Sequence, residues 1–422
     1  MKKFWCLFLI AFLLLGCTAD PPEPVAVLTP APDTPSPVPE AVITRAPETP
    51  SPSPTPSPTP EPTPEPTLSP EQKLWDYVER MPVEEKIGQL CMFGFSGTKE
   101  ISAEFKTILR DYAIGNVILY GMNMSRTNSD GGFAQCRRLT DSVRAASTSE
   151  IPLLISTDVE GGKVTRFRWS KSLLSASTLG SKKDESLARA QFETIAKGLL
   201  SAGINVDLAP CLDVAKNPSS TFLGNRILSS DADVVSRIGR ACIEGLHDGG
   251  CLSVVKHYPG HGATTQDSHE STPVVYKTET ELFSYELLPF RNALSEADGV
   301  MVAHILYPEI DDAHIASLSE IFITGILRNE LGFTGVVLSD DFRMAGLRKQ
   351  TSVGDGAVQF ILAGGDLIPC GANHTYQREI LKGLYAAVED GPIDEQRLNE
   401  SVYRILSAKM RVTGWNPFEN ED

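Results

Sequence analysis

The chain has 422 residues and a formal net charge of −16, a balance that argues against a nucleic-acid partner, because phosphate binding wants a basic face. Nineteen of its 30 prolines fall between Thr18 and Pro70, and a stretch so rich in Pro, Thr, Ser and Glu buries too little apolar surface to offset its ordering entropy. The length therefore divides into a leader (1–17), a spacer expected to be disordered (18–70) and a body (71–422) large enough for a full hydrophobic core.

In the leader, Lys2 and Lys3 precede an apolar run from Phe4 to Leu15, then Gly16 and Cys17. A charged start, a short apolar run and a small residue read as a signal peptide, and the run is short for a membrane-spanning helix. Leu14-Leu15-Gly16-Cys17 resembles the bacterial lipobox. That resemblance implies export, lipidation of Cys17 and anchoring at the outer face of the cytoplasmic membrane. A plain secretory leader is the blander alternative. Two or more acyl chains would make the anchor stable. Prolines at alternate positions from Pro50 to Pro66 favour polyproline II. The 53 spacer residues could then reach on the order of 160 Å, at ~3.1 Å each.

The body opens on Ser69-Pro70-Glu71-Gln72, a helix start with Ser as N-cap and Gln at the capping-box position. Eight strand-like runs follow: Leu90–Phe95, Gly115–Tyr120, Pro152–Asp158, Ile204–Pro210, Leu252–His257, Gly299–His304, Gly335–Ser339 and Gly364–Pro369. Between them, Leu187–Leu200, Asp233–His247, Glu279–Ala297 and Ser319–Glu330 read as amphipathic helices. Buried strands alternating with helices favour a parallel sheet, and eight such units in this length fit an α/β fold of the (β/α)8 barrel type. A doubly wound open sheet is the alternative. No GxGxxG follows a strand, which disfavours a dinucleotide site. The six body cysteines, Cys91, Cys136, Cys211, Cys242, Cys251 and Cys370, form no CxxC pair; several lie in apolar runs, where buried free thiols are expected.

A barrel places its functional residues at the C-terminal ends of its strands. Asp158, Asp213, Lys256, His257, His304, Asp340 and Asp341 all stand at or just past such ends. The densest cluster is Lys256-His257-Tyr258-Pro259-Gly260-His261-Gly262 with Asp267-Ser268-His269. Pro and Gly make this a loop, and an Asp-x-His pair on a loop can present an imidazole as a general acid. Asp340 or Asp341 could act as a nucleophile. Three chemistries compete on the residues alone. One is glycoside hydrolysis by a carboxylate and a proton donor. Another is metal-dependent hydrolysis using His257, His261 and His269. The third is sugar binding without catalysis.

These segments resemble the glycoside hydrolase family 3 β-N-acetylhexosaminidases of the single-domain bacterial type. The matches run in order through Glu84–Leu90, Asp158–Val164, Leu208–Val214, Lys256–Gly262 with Asp267-Ser268-His269, His304–Pro308 and Glu330–Asp341. The resemblance implies Asp340 as nucleophile, Asp267 and His269 as the acid/base dyad, and Asp158, Lys256 and His257 as ligands of the terminal sugar. Arg226, in Gly224-Asn225-Arg226, matches a sugar-binding Arg, with Ile227 and Leu228 where Ser and Phe are usual. Met344 resembles a position near the sugar. Asp341, Asp213 and His261 are expected to be structural, Tyr258 and Tyr307 to pack in the core, and Gly161-Gly162 to form a tight turn. No metal or other cofactor is implied. The expected activity is exo-hydrolysis of terminal N-acetylglucosamine, from peptidoglycan fragments, by a monomer tethered to the membrane. A phosphorylase or a β-glucosidase of the same family is the near alternative.

Overall fold

The computed structural model describes residues 68–125, 130–216 and 221–419. The leader, Cys17 and nearly all of the spacer lie outside the described residues. Helix Pro70–Arg80 begins as expected: Ser69 accepts from the Gln72 amide, and the Gln72 side chain accepts from the Ser69 amide in return.

All eight expected strands form: β1 (Cys91–Gly94), β2 (Asn116–Ile118), β3 (Leu154–Thr157), β4 (Val206–Asp207), β5 (Leu252–Tyr258), β6 (Gly299–Val302), β9 (Val336–Ser339) and β10 (Ile368–Cys370). A short hairpin, β7 (Leu306–Tyr307) and β8 (Asp311–Ile315), is inserted after β6. The eight barrel strands pair in parallel in the order β10-β1-β2-β3-β4-β5-β6-β9. A Leu338–Leu367 bridge joins the two ends and nearly closes the barrel.

Side chains alternate along each strand. Met92, Ile118, Leu154, Val206, Val254 and Leu338 fill the interior. Phe93, Val117, Ile155, Val255, Val300 and Val337 point outward under the helices. Helix Glu395–Thr413 crosses the N-terminal end of the barrel and drives Ile405 and Ala408 into the interior cluster. All six body cysteines are free and buried.

Two helices differ from expectation. Glu279–Ala297 is not continuous: it splits into Glu279–Ser284 and Leu288–Ala293. Pro289 sits in the first turn of the second piece, where its missing N–H is harmless, whereas mid-helix it would remove a bond. Ile321–Glu330 winds as a π-helix, and the Leu331 amide reaches the Ile326 carbonyl five residues back at 2.8 Å.

Candidate active site

The C-terminal mouth of the barrel holds a cavity of about 490 Å³. Asp158, Lys256, His257, Arg226, His269 and Asp340 all line it, as do His261 and Met344. The polar residues that end apolar strands are thus gathered at one place, as the barrel rule requires.

β5 is irregular where it matters. Val255 pairs with Val300 and Tyr258 with Val302, so three steps on β5 face two on β6. The bulge falls on Lys256 and His257 and turns both side chains into the mouth. Lys256 Nζ lies 2.7 Å from both Asp158 Oδ1 and Glu160 Oε1. Arg226 forks onto Glu160 at 2.8 and 2.9 Å, and Arg166 reaches Asp158 at 2.8 Å. Two carboxylates and three cations form one wall. Burial pushes the Glu160 carboxyl up, but Lys256 and Arg226 outweigh it and hold it at about 2. Burial likewise opposes ionisation of Asp158, and Lys256 and Arg166 override it and depress its pKa.

Asp213 is fully buried behind this wall. Its carboxylate accepts from the His257 ring at 2.6 Å, from the His257 amide at 3.2 Å, from the Cys211 thiol at 3.1 Å and from the His261 amide. The His257 ring thus sits between Asp213 and Arg226, whose Nη2 lies 3.1 Å from His257 Nε2. The bracing role expected of Asp213 is what the geometry gives.

Asp340 continues β9 by one residue, its amide donating to the Val302 carbonyl at 2.9 Å. Burial raises its carboxyl, but His257, His304 and the Asp341 amide together win and hold it below the ordinary carboxylate value. Asp341 is tied down by Arg343, by Tyr120 and by the Gly371 amide. The Arg343 guanidinium lies 5.1 Å from the centre of the Tyr120 ring. Of the two neighbouring carboxylates, Asp341 is engaged on both oxygens, while among the described residues Asp340 accepts only the amide next to it. His304 packs beneath, bonded to Ser317 at 2.7 Å and to the Asp341 carbonyl at 3.3 Å.

Asp267 and His269 sit on the loop after β5. Asp267 Oδ1 accepts from the His269 ring at 2.8 Å and from its amide at 2.9 Å. The His269 side chain is 67% exposed, so its Nε2 is free to meet a ligand over the cavity. Burial raises the Asp267 carboxyl, but the two bonds from His269 outweigh it and hold it below its ordinary value. The loop is anchored across the mouth. The Gly346 amide donates to the Ser268 carbonyl at 2.9 Å, Thr272 bonds the Gly346 carbonyl at 2.9 Å, and Lys349 bonds the Glu270 carbonyl at 2.9 Å. His261 is buried beneath the loop, bonded to Ser268 at 3.0 Å, where it shapes the loop while also lining the cavity.

Several lining residues escaped sequence reasoning: Tyr120, Glu160, Arg166, Phe222 and Arg343. Glu160 carries a usable signal, standing two residues past a strand-end Asp. Tyr258 and Tyr307 are buried core residues, bonded to the carbonyls of Phe322 and Gly260. Gly161 and Gly162 form the expected turn at φ +90 and +55, which glycine adopts without strain. His257, His261 and His269 do not converge as metal ligands. Among the described residues, the group close enough is Cys211, Asp213 and His257. Asp213 has four hydrogen bonds on two oxygens, and burial raises the Cys211 thiol well above its ordinary value. That group is a hydrogen-bond relay, not an open ligand set.

Residues 82–408 match the glycosyl hydrolase family 3 N-terminal domain. The chain belongs to glycoside hydrolase family 3. A β-hexosaminidase of Idiomarina loihiensis is 33% identical over 313 residues, 73% of this chain and 91% of that protein. Beta-hexosaminidase A of Pseudoalteromonas piscicida is 30% identical over 336 residues, 73% of this chain but 55% of the longer relative. The solved family 3 β-N-acetylglucosaminidase of Paenibacillus sp. str. FPU-7 superposes with a TM-score of 0.75 at 36% identity, covering 79% of this chain and 63% of that one. Against these relatives the family 3 barrel described here is a single domain, and its matched span runs from the end of helix Pro70–Arg80 into helix Glu395–Thr413.

Proposed function

We propose that the barrel is a β-N-acetylhexosaminidase, acting from the non-reducing end on terminal N-acetylglucosamine with retention of configuration. The observation that carries this reading is the Asp267–His269 pair on a loop over a cavity walled by Asp340. In the first step, Asp340 attacks the anomeric carbon and His269 gives its proton to the departing glycosidic oxygen, leaving a glycosyl ester on Asp340. In the second, neutral His269 takes a proton from water, whose oxygen attacks the anomeric carbon and releases the Asp340 carboxylate. Lys256, His257, Arg226 and Asp158 bind the terminal sugar's hydroxyls. The Lys256–Asp158 pair, the fork of Arg226 onto Glu160 and the bond of His257 to Asp213 hold them in place before substrate arrives, which lowers the cost of orienting it. The names of the relatives support the sugar, and Asp341's engagement by Arg343 and Tyr120 supports Asp340 as nucleophile.

The leader supports export and lipidation at Cys17, with the Pro-rich segment as a stalk. A body held off the membrane in this way would meet cell-wall fragments, and peptidoglycan pieces ending in N-acetylglucosamine are the proposed substrate. The deciding experiment compares aryl β-glycosides of N-acetylglucosamine and of glucose, with and without phosphate. Release of free N-acetylglucosamine, unaffected by phosphate, is the expected result. A sugar 1-phosphate product would mark a phosphorylase, preference for glucose a β-glucosidase, and no turnover a sugar-binding protein.

A further inference from the structure

We propose that the opposite pole of the barrel carries a second binding site, for an oxyanion of the phosphate class. A cavity of about 570 Å³ opens there, and Gly335 and Val336, where β9 begins, line it. It shares no lining residue with the mouth that holds Asp340. One wall is a face of helix Glu395–Thr413, with Arg404, Ser407 and Arg411 three and four residues apart and Tyr403 beside them. Arg291 and Phe333 stand on other sides. Three guanidiniums around one concavity are unexpected in a chain of net charge −16, because like charges repel unless a counter-charge sits between them.

The surrounding carboxylates do not supply that counter-charge in full. Asp366 is buried and shared among Arg328 at 2.5 Å, Arg404 at 3.0 Å and Arg397 at 3.5 Å. Glu400 lies 3.5 Å from Arg397 and from Arg404. Asp298 pairs with Arg411 at 2.8 Å and with His247 at 2.7 Å. Four guanidiniums thus divide three carboxylates, and Arg291 stands outside every ion pair of the described residues. A tetrahedral oxyanion suits what is left: forked guanidinium donors around one concavity. Two sources of that chemistry are open. One is free phosphate or a soluble phosphate ester. The other is an anionic lipid headgroup, because Trp75 of helix Pro70–Arg80, the first element after the expected tether, packs on Tyr403 with ring centres 5.7 Å apart.

The test titrates inorganic phosphate into the full-length Cys17→Ser protein by calorimetry at constant ionic strength. Saturable one-site binding is expected, weakened by about tenfold or more in an Arg291→Glu/Arg411→Gln double variant whose aryl-glycoside turnover is unchanged. No saturable binding, or equal affinity in the double variant, overturns the proposal. Should the double variant lose its thermal transition, Arg291→Glu alone carries the comparison, since that residue is exposed and in no ion pair of the described residues. Co-sedimentation with phosphatidylglycerol vesicles but not phosphatidylcholine vesicles, lost in the variant, identifies the headgroup as the source. Phosphate binding without vesicle binding identifies the soluble ligand.

Discussion

Asp340 and His269 differ in exposure as their proposed roles require: one is held in the floor of the mouth, the other stands out over it. Asp340→Asn removes the nucleophile without changing shape, and kcat on an aryl N-acetyl-β-glucosaminide is expected to fall on the order of 10³-fold. His269→Ala is expected to act selectively. Turnover of poor leaving groups falls on the order of 10²-fold more than that of nitrophenolates, which need little proton assistance; kcat measured against leaving-group acidity checks this. His261 gives a stability prediction. Burial, then the neighbouring His257, lower its pKa from the ordinary 6.5 to about 4, against the opposing pull of Asp213 and Asp340. The folded ring stays neutral while the unfolded ring takes a proton, so its contribution is complete above pH 6.5 and is lost as pH falls toward 4. The size is about 3 kcal/mol, and Tm against pH should be flatter over that window in His261→Asn. Glu160, held at about 2, adds a separate loss below its ordinary value near 4.5. At this scale the sequence made the strand-end ions legible, because a charge closing an apolar run has no packing reason to be there. It hid Tyr120 and Arg343, since the Tyr120–Asp341 bond spans 221 residues and no local pattern announces it.

The strands were readable because each is a buried Val/Ile/Leu run bounded by polar or turn residues. The β7–β8 hairpin was not: β7 has two residues, and Asp312, Ala313 and His314 on β8 are all exposed, so neither arm alternates. The break in Glu279–Ala297 had a signal in Pro289, which apolar periodicity overrode. The π-winding of Ile321–Glu330 leaves the same apolar residues buried and so gives no distinct pattern. The loops after β4 and β5 are pressed together at Gly262, where an added Cβ would lie 2.1 Å from the Val214 carbonyl oxygen. Gly262→Ala must therefore displace the chain leading to Asp267 and His269. We expect kcat to drop on the order of 10²-fold while the circular dichroism spectrum stays that of the folded barrel.

The whole molecule joins a barrel to an N-terminal segment of very different composition, and the two should be separable. Cys17→Ser is expected to move the protein from the membrane to the soluble fraction, with kcat and KM on small aryl substrates unchanged. Fractionation followed by assay of both fractions checks this. The composition made that division visible before any fold was known, whereas the Arg-lined cavity at the far pole could not be seen, since its walls come from three separate parts of the chain.

The plug at the base of the barrel bears on timing. Ile405 and Ala408, which fill the interior from below, are synthesised after every strand of the barrel. The seam that joins the first strand to the last, Cys91 to Ile368, also waits for the last barrel strand. The seam cannot form before β10 has been made, nor the plug before helix Glu395–Thr413, so the barrel has no finished core to lock it while its strands are still being synthesised. A barrel that stays loose until helix Glu395–Thr413 emerges is one that can still be threaded through a narrow pore.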